Sequence, residues 1–319
     1  MTSNPKISIV IPVYNGSDYL KEAIDSALGQ TAPDFEVIVV NDGSNDGGKT
    51  EAIANSYSDK IRYFYKENGG VASALNLGIK NMRGEWFAWL SHDDFFSKNR
   101  IEQDLILIEK HPEAKVIYCT LKDVDFQGEI LENVKYPIVQ VKNCYEALMF
   151  VNMCALTIHQ SCFKTIGVFD ESKRTSQDVD FTLRLARRFS FYLNNNSITY
   201  RREHLNRGTY TLAEPYKKEL QKFCDIIHNE LSFNDLFSNL TASDNEDTIA
   251  NAWFSLGHLY QSFGAEHYSK ECYKLGINSY KNNFTRLVKI FNFKTKKIES
   301  YIANNWINRF HLFFKGFKW

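Results

Sequence analysis

Short apolar runs alternate with longer helical patterns along the first third of the chain, and this alternation limits the possible folds more than any other feature. Four runs rich in β-branched and aromatic residues predict strands over Ile7–Ile11, Phe35–Val40, Ile61–Tyr65 and Trp86–Leu90. The stretches between them predict helices over Asp18–Leu28, Lys49–Tyr57 and Val71–Asn81. Such alternation builds βαβ units and a mostly parallel sheet. The sequence therefore predicts an α/β fold whose ligands bind at the carboxyl edge of the sheet.

The fourth predicted strand runs directly into Ser91, His92, Asp93 and Asp94. Adjacent carboxylates at a strand end place hard oxygen ligands where an open α/β sheet binds its substrate, which favours a divalent cation that holds a phosphorylated molecule. The same acids would also serve as caps of the helix predicted from about Lys98. Taken alone, the four residues support both interpretations equally.

Bulk composition excludes several functional classes. The 319 residues include 38 basic and 38 acidic side chains, so no overall charge favours nucleic acid as a partner. The six cysteines form no Cys-x-x-Cys pair and no zinc-type cluster with histidine, which indicates reduced thiols. The apolar run Ile7–Val13 is too short for a signal peptide or a membrane span. These features predict a soluble globular protein of the cytoplasm.

The carboxyl-terminal part of the chain has a different pattern. Pro215 is the last of six prolines, and the helical pattern after it predicts one domain over residues 1–215 and a helical region over residues 216–319. Four residues from Trp253 onward match the spacing of one tetratricopeptide repeat, Trp-x2-Leu-Gly-x2-Tyr. A single repeat cannot bury its apolar face by itself. A helical hairpin packed on the main domain is therefore favoured over a peptide-binding array.

The end of the chain is basic and aromatic. From Lys281 to Trp319 there are nine Lys or Arg and one acid, and the aromatic residues include Trp306, Phe310, Phe313, Phe314, Phe317 and Trp319. This composition suits a segment that lies in a membrane interface. It predicts peripheral association with the inner face of the cytoplasmic membrane, with RNA binding or docking on the main domain as alternatives.

Four motifs follow one another along the predicted sheet. They are Ile-Ser-Ile-Val-Ile-Pro-Val-Tyr-Asn (7–15), Val-Asn-Asp-Gly-Ser (40–44), Asn-Gly-Gly-Val-Ala-Ser-Ala-Leu-Asn-Leu-Gly (68–78) and Ser-His-Asp-Asp (91–94). In this order and spacing they resemble the family-2 inverting glycosyltransferases of GT-A fold that build bacterial cell-surface polysaccharides. The likeness covers roughly residues 5–210. It implies a mostly parallel central sheet flanked by helices. The helical carboxyl-terminal region is an extension that the likeness does not cover.

The resemblance assigns a group of residues to nucleotide-sugar binding. They are Pro12, Val13, Tyr14, Asn15, Asp42, Asn68, Gly70, Ala74, Asn76, His92, Asp93 and Arg202. A carboxylate such as Asp42 can accept hydrogen bonds from a base N–H or from ribose hydroxyls. Its alternative role is an Asx turn before Gly43. Leu75 stands where many relatives carry arginine, so one nucleotide contact is expected to be absent.

The resemblance also implies a metal site. Asp93 is the expected principal ligand of Mg²⁺ or Mn²⁺, with Asp94 and His204 in support. Ser91 replaces the first acid of the commoner motif Asp-x-Asp-Asp. Mg²⁺ takes only one or two protein carboxylates together with water and phosphate oxygens, so this replacement does not exclude it. His92 is expected to point away from Asp93, towards a packing or rim role.

A catalytic base is expected at the start of a later helix. The family places Glu-Asp there, and this chain has Gln177-Asp178. Asp178 is the predicted base, because Asp180 would face another side of the helix. A capping box between Thr175 and Asp178 explains the acid equally well without the resemblance. The predicted acceptor contacts are Thr157, His159 and Gln177.

These features predict a metal-assisted inverting transfer by single displacement, in polysaccharide biosynthesis of the cell envelope. The expected donor is a nucleotide sugar, with UDP favoured, and the expected acceptor is a hydroxyl of a saccharide or lipid-linked glycan. The alternative is a degenerate transferase that only binds its ligand, which Ser91, Leu75 and Gln177 support. A NAD-dependent enzyme is disfavoured because no Gly-x-Gly-x-x-Gly follows the first strand.

Overall fold

The predicted alternation of strands and helices is present in the computed structural model, which describes residues 5–131, 140–241 and 243–280. The strands are β1 (Ile7–Val13), β2 (Phe35–Asp42), β3 (Arg62–Lys66) and β4 (Trp86–Trp89). The helices between them are α1 (Leu20–Leu28), α2 (Lys49–Asn55) and α3 (Val71–Asn81). The four strands pair in parallel in the order β3-β2-β1-β4. The predicted α/β class is confirmed.

The two strands β1 and β2 form the buried centre of this parallel region. Every residue of β1 is buried, as is all of β2 except its first residue, which is expected where helices cover both faces of a parallel sheet. Helix α3 approaches β1 closely because Gly78 has no side chain: a Cβ there would lie 2.3 Å from Cγ1 of Val10. This packing holds the strand ends, and with them the loops at the carboxyl edge, in place.

The sheet continues through four further strands, β5 (Phe95–Phe96), β6 (Val116–Val124), β7 (Leu156–His159) and β8 (Phe191–Arg202). The accompanying helices are α4 (Arg100–Lys110), α5 (Cys144–Phe150), α6 (Ser161–Ile166) and α7 (Gln177–Ala186). The full order is β3-β2-β1-β4-β7-β6-β8-β5. Strand β7 is antiparallel to both of its neighbours, and β8 is parallel to β6. The sheet is therefore mostly parallel, with β7 reversed in its middle and β5 reversed at its edge.

The short strand β5 brings the end of β8 to the loop after β4. Phe95 pairs antiparallel with Tyr200, and their rings stack with centroids 4.8 Å apart. The corner Ser91–Asp94 immediately precedes β5. Arg202, at the end of β8, therefore lies beside this corner.

The chain divides into two compact units. The first contains the described residues up to 131, with 140–141 and 150–205, and the second contains 142–149 and the described residues from 206 to 280. The helices after Leu205 are α8 (Gly208–Thr211), α9 (Ala213–Glu230), α10 (Phe233–Leu236), α11 (Glu246–Ser262) and α12 (Glu266–Asn278). Pro215, our predicted domain boundary, lies in the first turn of α9.

The helices α11 and α12 form a tightly packed hairpin. A Cβ on Gly257 would lie 2.8 Å from the Tyr273 ring, and one on Gly276 would lie 2.4 Å from the Phe254 ring. The residues with tetratricopeptide spacing therefore belong to a two-helix hairpin.

The basic aromatic segment 281–319 lies outside the described residues. Its association with a membrane surface stays a prediction. None of the helices in the described ranges combines the length and the apolar character that a membrane span requires.

Candidate active site

The loops after β1 and β2 are hydrogen-bonded to each other at the carboxyl edge of the sheet. The backbone N–H of Asn15 donates to Ser44 Oγ at 2.9 Å, and its side-chain amide donates to Asn45 Oδ1 at 2.7 Å. The backbone N–H of Ser44 donates to Asn41 Oδ1 at 2.9 Å. The side chain of Asn41, rather than that of Asp42, therefore bonds the backbone of this turn, three residues further along the chain. Asn15, a predicted donor contact, is engaged in joining the two loops.

Asp42 is buried at the end of β2 and organises the loop that precedes α3. Its carboxylate accepts the backbone N–H groups of Gly69 (2.9 Å) and Gly70 (2.7 Å) and pairs with Lys66 Nζ at 2.8 Å. Its backbone carbonyl accepts a hydrogen bond from Asn68 Nδ2 at 2.9 Å. The predicted donor-site residues Asp42, Asn68 and Gly70 therefore form one connected unit.

Several residues predicted to contact the donor have buried side chains. Pro12 and Val13 face the interior at the end of β1, and Ala74 is fully buried in α3. A side-chain contact with a donor is excluded at these three positions, and only backbone atoms remain for such a role. Tyr14, by contrast, is 44% exposed at the rim of the site.

Asn76 holds the segment that leads to α7. Its side-chain amide donates to the carbonyl of Phe169 (2.9 Å) and to Glu171 Oε1 (2.8 Å), while its Oδ1 accepts the N–H of Phe169 at 3.0 Å. Asn76 therefore has a positioning role in the structure, and its donor contact stays a prediction. It ties the start of the α7 region to α3.

The two adjacent carboxylates of the corner have different partners. Asp93 Oδ2 lies 2.9 Å from His204 Nε2, and both side chains are largely buried. Asp94 is 4% exposed and its Oδ1 accepts the backbone N–H of Arg202 at 2.9 Å. Asp94 thus anchors β8, which makes it a poorer candidate for a metal ligand than we predicted from the sequence.

The alternative role of these acids as helix caps is wrong. Helix α4 begins at Arg100 after Asn99 as its N-cap residue, well beyond Asp94. His92 packs against the first loop, since a Cβ on Gly16 would lie 2.4 Å from its ring. This contact agrees with a packing role for His92 at the rim of the site.

Arg202 is buried beside the corner, and its guanidinium is hydrogen-bonded to groups of the protein itself. Its Nε donates to the backbone carbonyl of Asp93 at 3.1 Å, and its Nη1 donates to the carbonyl of Phe126 at 2.9 Å. Its Nη2 pairs with Glu22, and the Tyr19 ring lies 4.7 Å from Cζ. The predicted donor contact of Arg202 is therefore corrected to a positioning role that supports Asp93.

Asp93 and His204 fit a cation site that is completed by substrate. Their facing O and N atoms are close enough to bind one ion, and an imidazole nitrogen and a carboxylate oxygen both bind Mn²⁺ or Mg²⁺. Within the part of the chain that the structure describes, no group of three or more His, Cys, Asp or Glu side chains is arranged to hold a metal. Water and phosphate oxygens would have to supply the remaining ligands.

Asp178 is the second residue of α7 and lies in its first turn. Ser176 is the N-cap residue and makes no side-chain capping bond, so the capping box between Thr175 and Asp178 is wrong. Asp180 pairs with Arg184 at 2.7 Å and lies 4.0 Å from Lys173. The carboxylate of Asp180 is therefore engaged in ion pairs.

Two of the three predicted acceptor contacts lie away from the site. Thr157 is fully buried, donates to Asp104 Oδ2 at 2.6 Å and accepts from Arg100 Nη1 at 3.2 Å. His159 pairs in register with Trp86, the first residue of β4, and burial lowers its pKa. Because β7 is antiparallel to β4, the end of β7 lies at the edge opposite to Asp93. Both assignments are therefore wrong.

Gln177 is the third predicted acceptor contact, and it is the residue before Asp178 in the first turn of α7. It is 6% exposed, and its Oε1 has no hydrogen-bond partner among the described residues. A buried acceptor atom without a donor costs stability. Such an atom is suited to a ligand hydroxyl.

The structure adds two cations that sequence reasoning missed. Lys66 lies opposite Asp42 in the register of the parallel strands β2 and β3. Both residues end their strands, and this shared position could have indicated Lys66 from the sequence. Arg174 donates from Nη1 to the carbonyl of Gly69 at 2.6 Å, across 105 positions of sequence. No local pattern around Arg174 indicates this contact.

The chain is similar to known glycosyltransferases in sequence. The family model described as Glycosyl transferase family 2 matches residues 8–166. An uncharacterized glycosyltransferase of Rickettsia typhi is 46% identical over 217 residues, which cover 66% of this chain and 68% of that protein. A chondroitin synthase of Pasteurella multocida is 31% identical over 185 residues, 57% of this chain and 19% of that enzyme.

The fold is similar to that of a solved transferase. A fragment of TarS from S. aureus, crystallised with UDP-GlcNAc, superposes with a TM-score of 0.58 at 20% identity. The match covers 85% of this chain and 89% of that one. At this level of identity the likeness concerns the fold.

Proposed function

Because the chain belongs to glycosyltransferase family 2 and has a GT-A fold, we propose that it transfers a sugar from a UDP-sugar to a hydroxyl of a saccharide or lipid-linked glycan. The observation that carries the proposal is the 2.9 Å contact between Asp93 Oδ2 and His204 Nε2. It joins, from positions 111 residues apart, two groups suited to one divalent cation. The UDP-GlcNAc bound to TarS and the polysaccharide synthase among the relatives support the choice of substrates.

The proposed reaction is a single displacement with inversion at the anomeric carbon. The acceptor oxygen forms a bond to the anomeric carbon while the bond from this carbon to the diphosphate breaks, and UDP departs. Asp178 takes the proton from the attacking hydroxyl. Asp93 and His204 would hold Mg²⁺ or Mn²⁺, whose charge offsets the charge that develops on the departing diphosphate. The loop held by Asp42 borders the nucleotide.

Replacement of Asp93 by alanine tests this assignment. We expect UDP with Mn²⁺ to raise the melting temperature of the native protein, since ligand at about 100 times its Kd adds about 2.7 kcal/mol of stability. Asp93→Ala should lose most of this shift, and a chelator should remove it from the native protein. The exposed Asp59 offers a matched control, Asp59→Ala, which should keep the full shift.

Three outcomes are informative, two from this assay and one from a separate measurement of UDP release with candidate acceptors. A shift that is insensitive to chelator and to Asp93→Ala would contradict the metal assignment. UDP binding without transfer to any acceptor would favour the non-catalytic alternative. Absence of nucleotide binding by the native protein would refute the proposed function.

The orphaned Oε1 of Gln177 gives a separate prediction for the acceptor. Gln177→Leu removes an unsatisfied buried acceptor atom, so we expect unchanged or higher thermal stability together with a KM for the acceptor raised about tenfold, as for loss of one hydrogen bond. The KM for the donor should stay the same. Stabilisation with unaltered acceptor kinetics would instead assign Gln177 a purely structural position.

A further inference from the structure

The side chain of Arg174 contacts the loop between β3 and α3, although the two are far apart in the sequence. Arg174 lies on the segment between α6 and α7, and its side chain is exposed. Its Nη1 donates to the carbonyl of Gly69 at 2.6 Å, and its Cζ lies 3.0 Å from the position that a Cβ on Gly70 would occupy. The guanidinium therefore rests directly against this loop.

The loop itself has its polar groups turned towards Asp42. The N–H groups of Gly69 and Gly70 both donate to the Asp42 carboxylate, and Lys66 Nζ pairs with the same carboxylate. These donors and this cation therefore serve to satisfy a buried acid. The Arg174 guanidinium, which bonds the carbonyl of Gly69, is the positive group on the other side of the same peptide.

We propose that Arg174 binds the diphosphate of the donor from the side of the loop opposite to Asp42. A guanidinium presents five N–H donors in a planar fork that matches phosphate oxygens, and it keeps its charge at any physiological pH. The inference rests on the proposed function, because it assumes that the loop borders a nucleotide sugar. It concerns a residue that neither the motifs nor the spacing of the sequence indicated.

The contact also connects donor binding to the predicted base. Arg174 lies four residues before Asp178, and Asn76 ties residues 169–171 of the same segment to α3. A diphosphate held by Arg174 fixes this segment at both ends. The start of α7, with Asp178, is then held in place when the donor is bound.

Binding of UDP and of uridine to Arg174→Ala tests the proposal, since the two ligands differ only in the diphosphate. By isothermal titration in the presence of Mn²⁺, we expect the variant to weaken UDP about tenfold to a hundredfold, the usual effect of losing a charge-assisted hydrogen bond. Uridine affinity should change by less than about twofold, since its binding lacks that bond. Arg174→Lys should recover part of the loss for UDP. Arg187→Ala, which removes an exposed arginine at the far end of α7, is the matched control.

The possible results separate the inference from the proposed function. Equal weakening of UDP and uridine would show that Arg174 only shapes the loop through Gly69, and it would overturn the proposal. Unchanged UDP affinity in Arg174→Ala would overturn it as well. If the native protein binds neither ligand, the proposed function itself fails, before Arg174 is tested.

Discussion

Asp178→Asn should slow sugar transfer by about 10²- to 10⁴-fold while the affinity for UDP stays nearly unchanged. The substitution keeps the size of the side chain and its place in the first turn of α7, but an amide cannot take the proton of the attacking hydroxyl. The measurement is kcat at saturating donor and acceptor, together with the Kd of UDP. A variant that transfers sugar at the native rate would show that another group is the base.

Asp180→Asn is the matched control for this experiment. Asp180 is two residues away on the same helix, but its carboxylate is paired with Arg184 at 2.7 Å. We expect this variant to lose some stability and to keep most of its activity. A loss of turnover as large as that of Asp178→Asn would mean that the orientation of α7, rather than proton transfer, limits the rate.

Asp104→Asn should destabilise the protein by about 3–5 kcal/mol, the usual cost of leaving a buried charge without its partner. Asp104 and Arg100 are both fully buried and lie 2.9 Å apart. The other carboxylate oxygen accepts hydrogen bonds from Asn194 (2.9 Å) and Ser197 (3.2 Å). The amide would leave the Arg100 charge uncompensated and would turn an N–H group towards donors. Urea unfolding followed by circular dichroism measures the change.

Two further variants identify the cause of that loss. Asp25→Asn breaks a surface pair with Lys21, whose side chains are 74% and 49% exposed, and it should cost less than about 1 kcal/mol. The double variant Arg100→Met/Asp104→Leu removes both charges, and it should recover much of the lost stability. If the double variant were less stable than Asp104→Asn, the hydrogen bonds of the network would matter more than its charges.

This network explains why Thr157 was misassigned. In the structure, Thr157 completes the hydrogen bonding of Asp104 and Arg100 beneath the sheet. The sequence carries no mark of this role, because Thr157 and Asp104 are 53 positions apart and meet only when β7 packs beside α4.

The parallel half of the fold was predictable from local patterns. Strands buried on both faces have continuous β-branched runs, and the helices between them have clear apolar faces. The motif at Ser91–Asp94 likewise indicated the corner of the site. Its two carboxylates could not be distinguished, because their roles depend on β8: Asp94 accepts the N–H of Arg202, and Asp93 contacts His204.

Local patterns in the chain were enough to predict the α/β class, the gathering of four motifs at one edge of the sheet, and the place of Asp178 at the start of a helix. Each of these depends on periodicity and turn chemistry within a few residues. The support of the corner by Arg202, the position of His159 at the opposite edge and the contact of Arg174 with Gly69 became visible only in the folded chain. These outcomes follow from strand order, strand direction and burial, which join residues about a hundred positions apart and leave no local pattern in the chain.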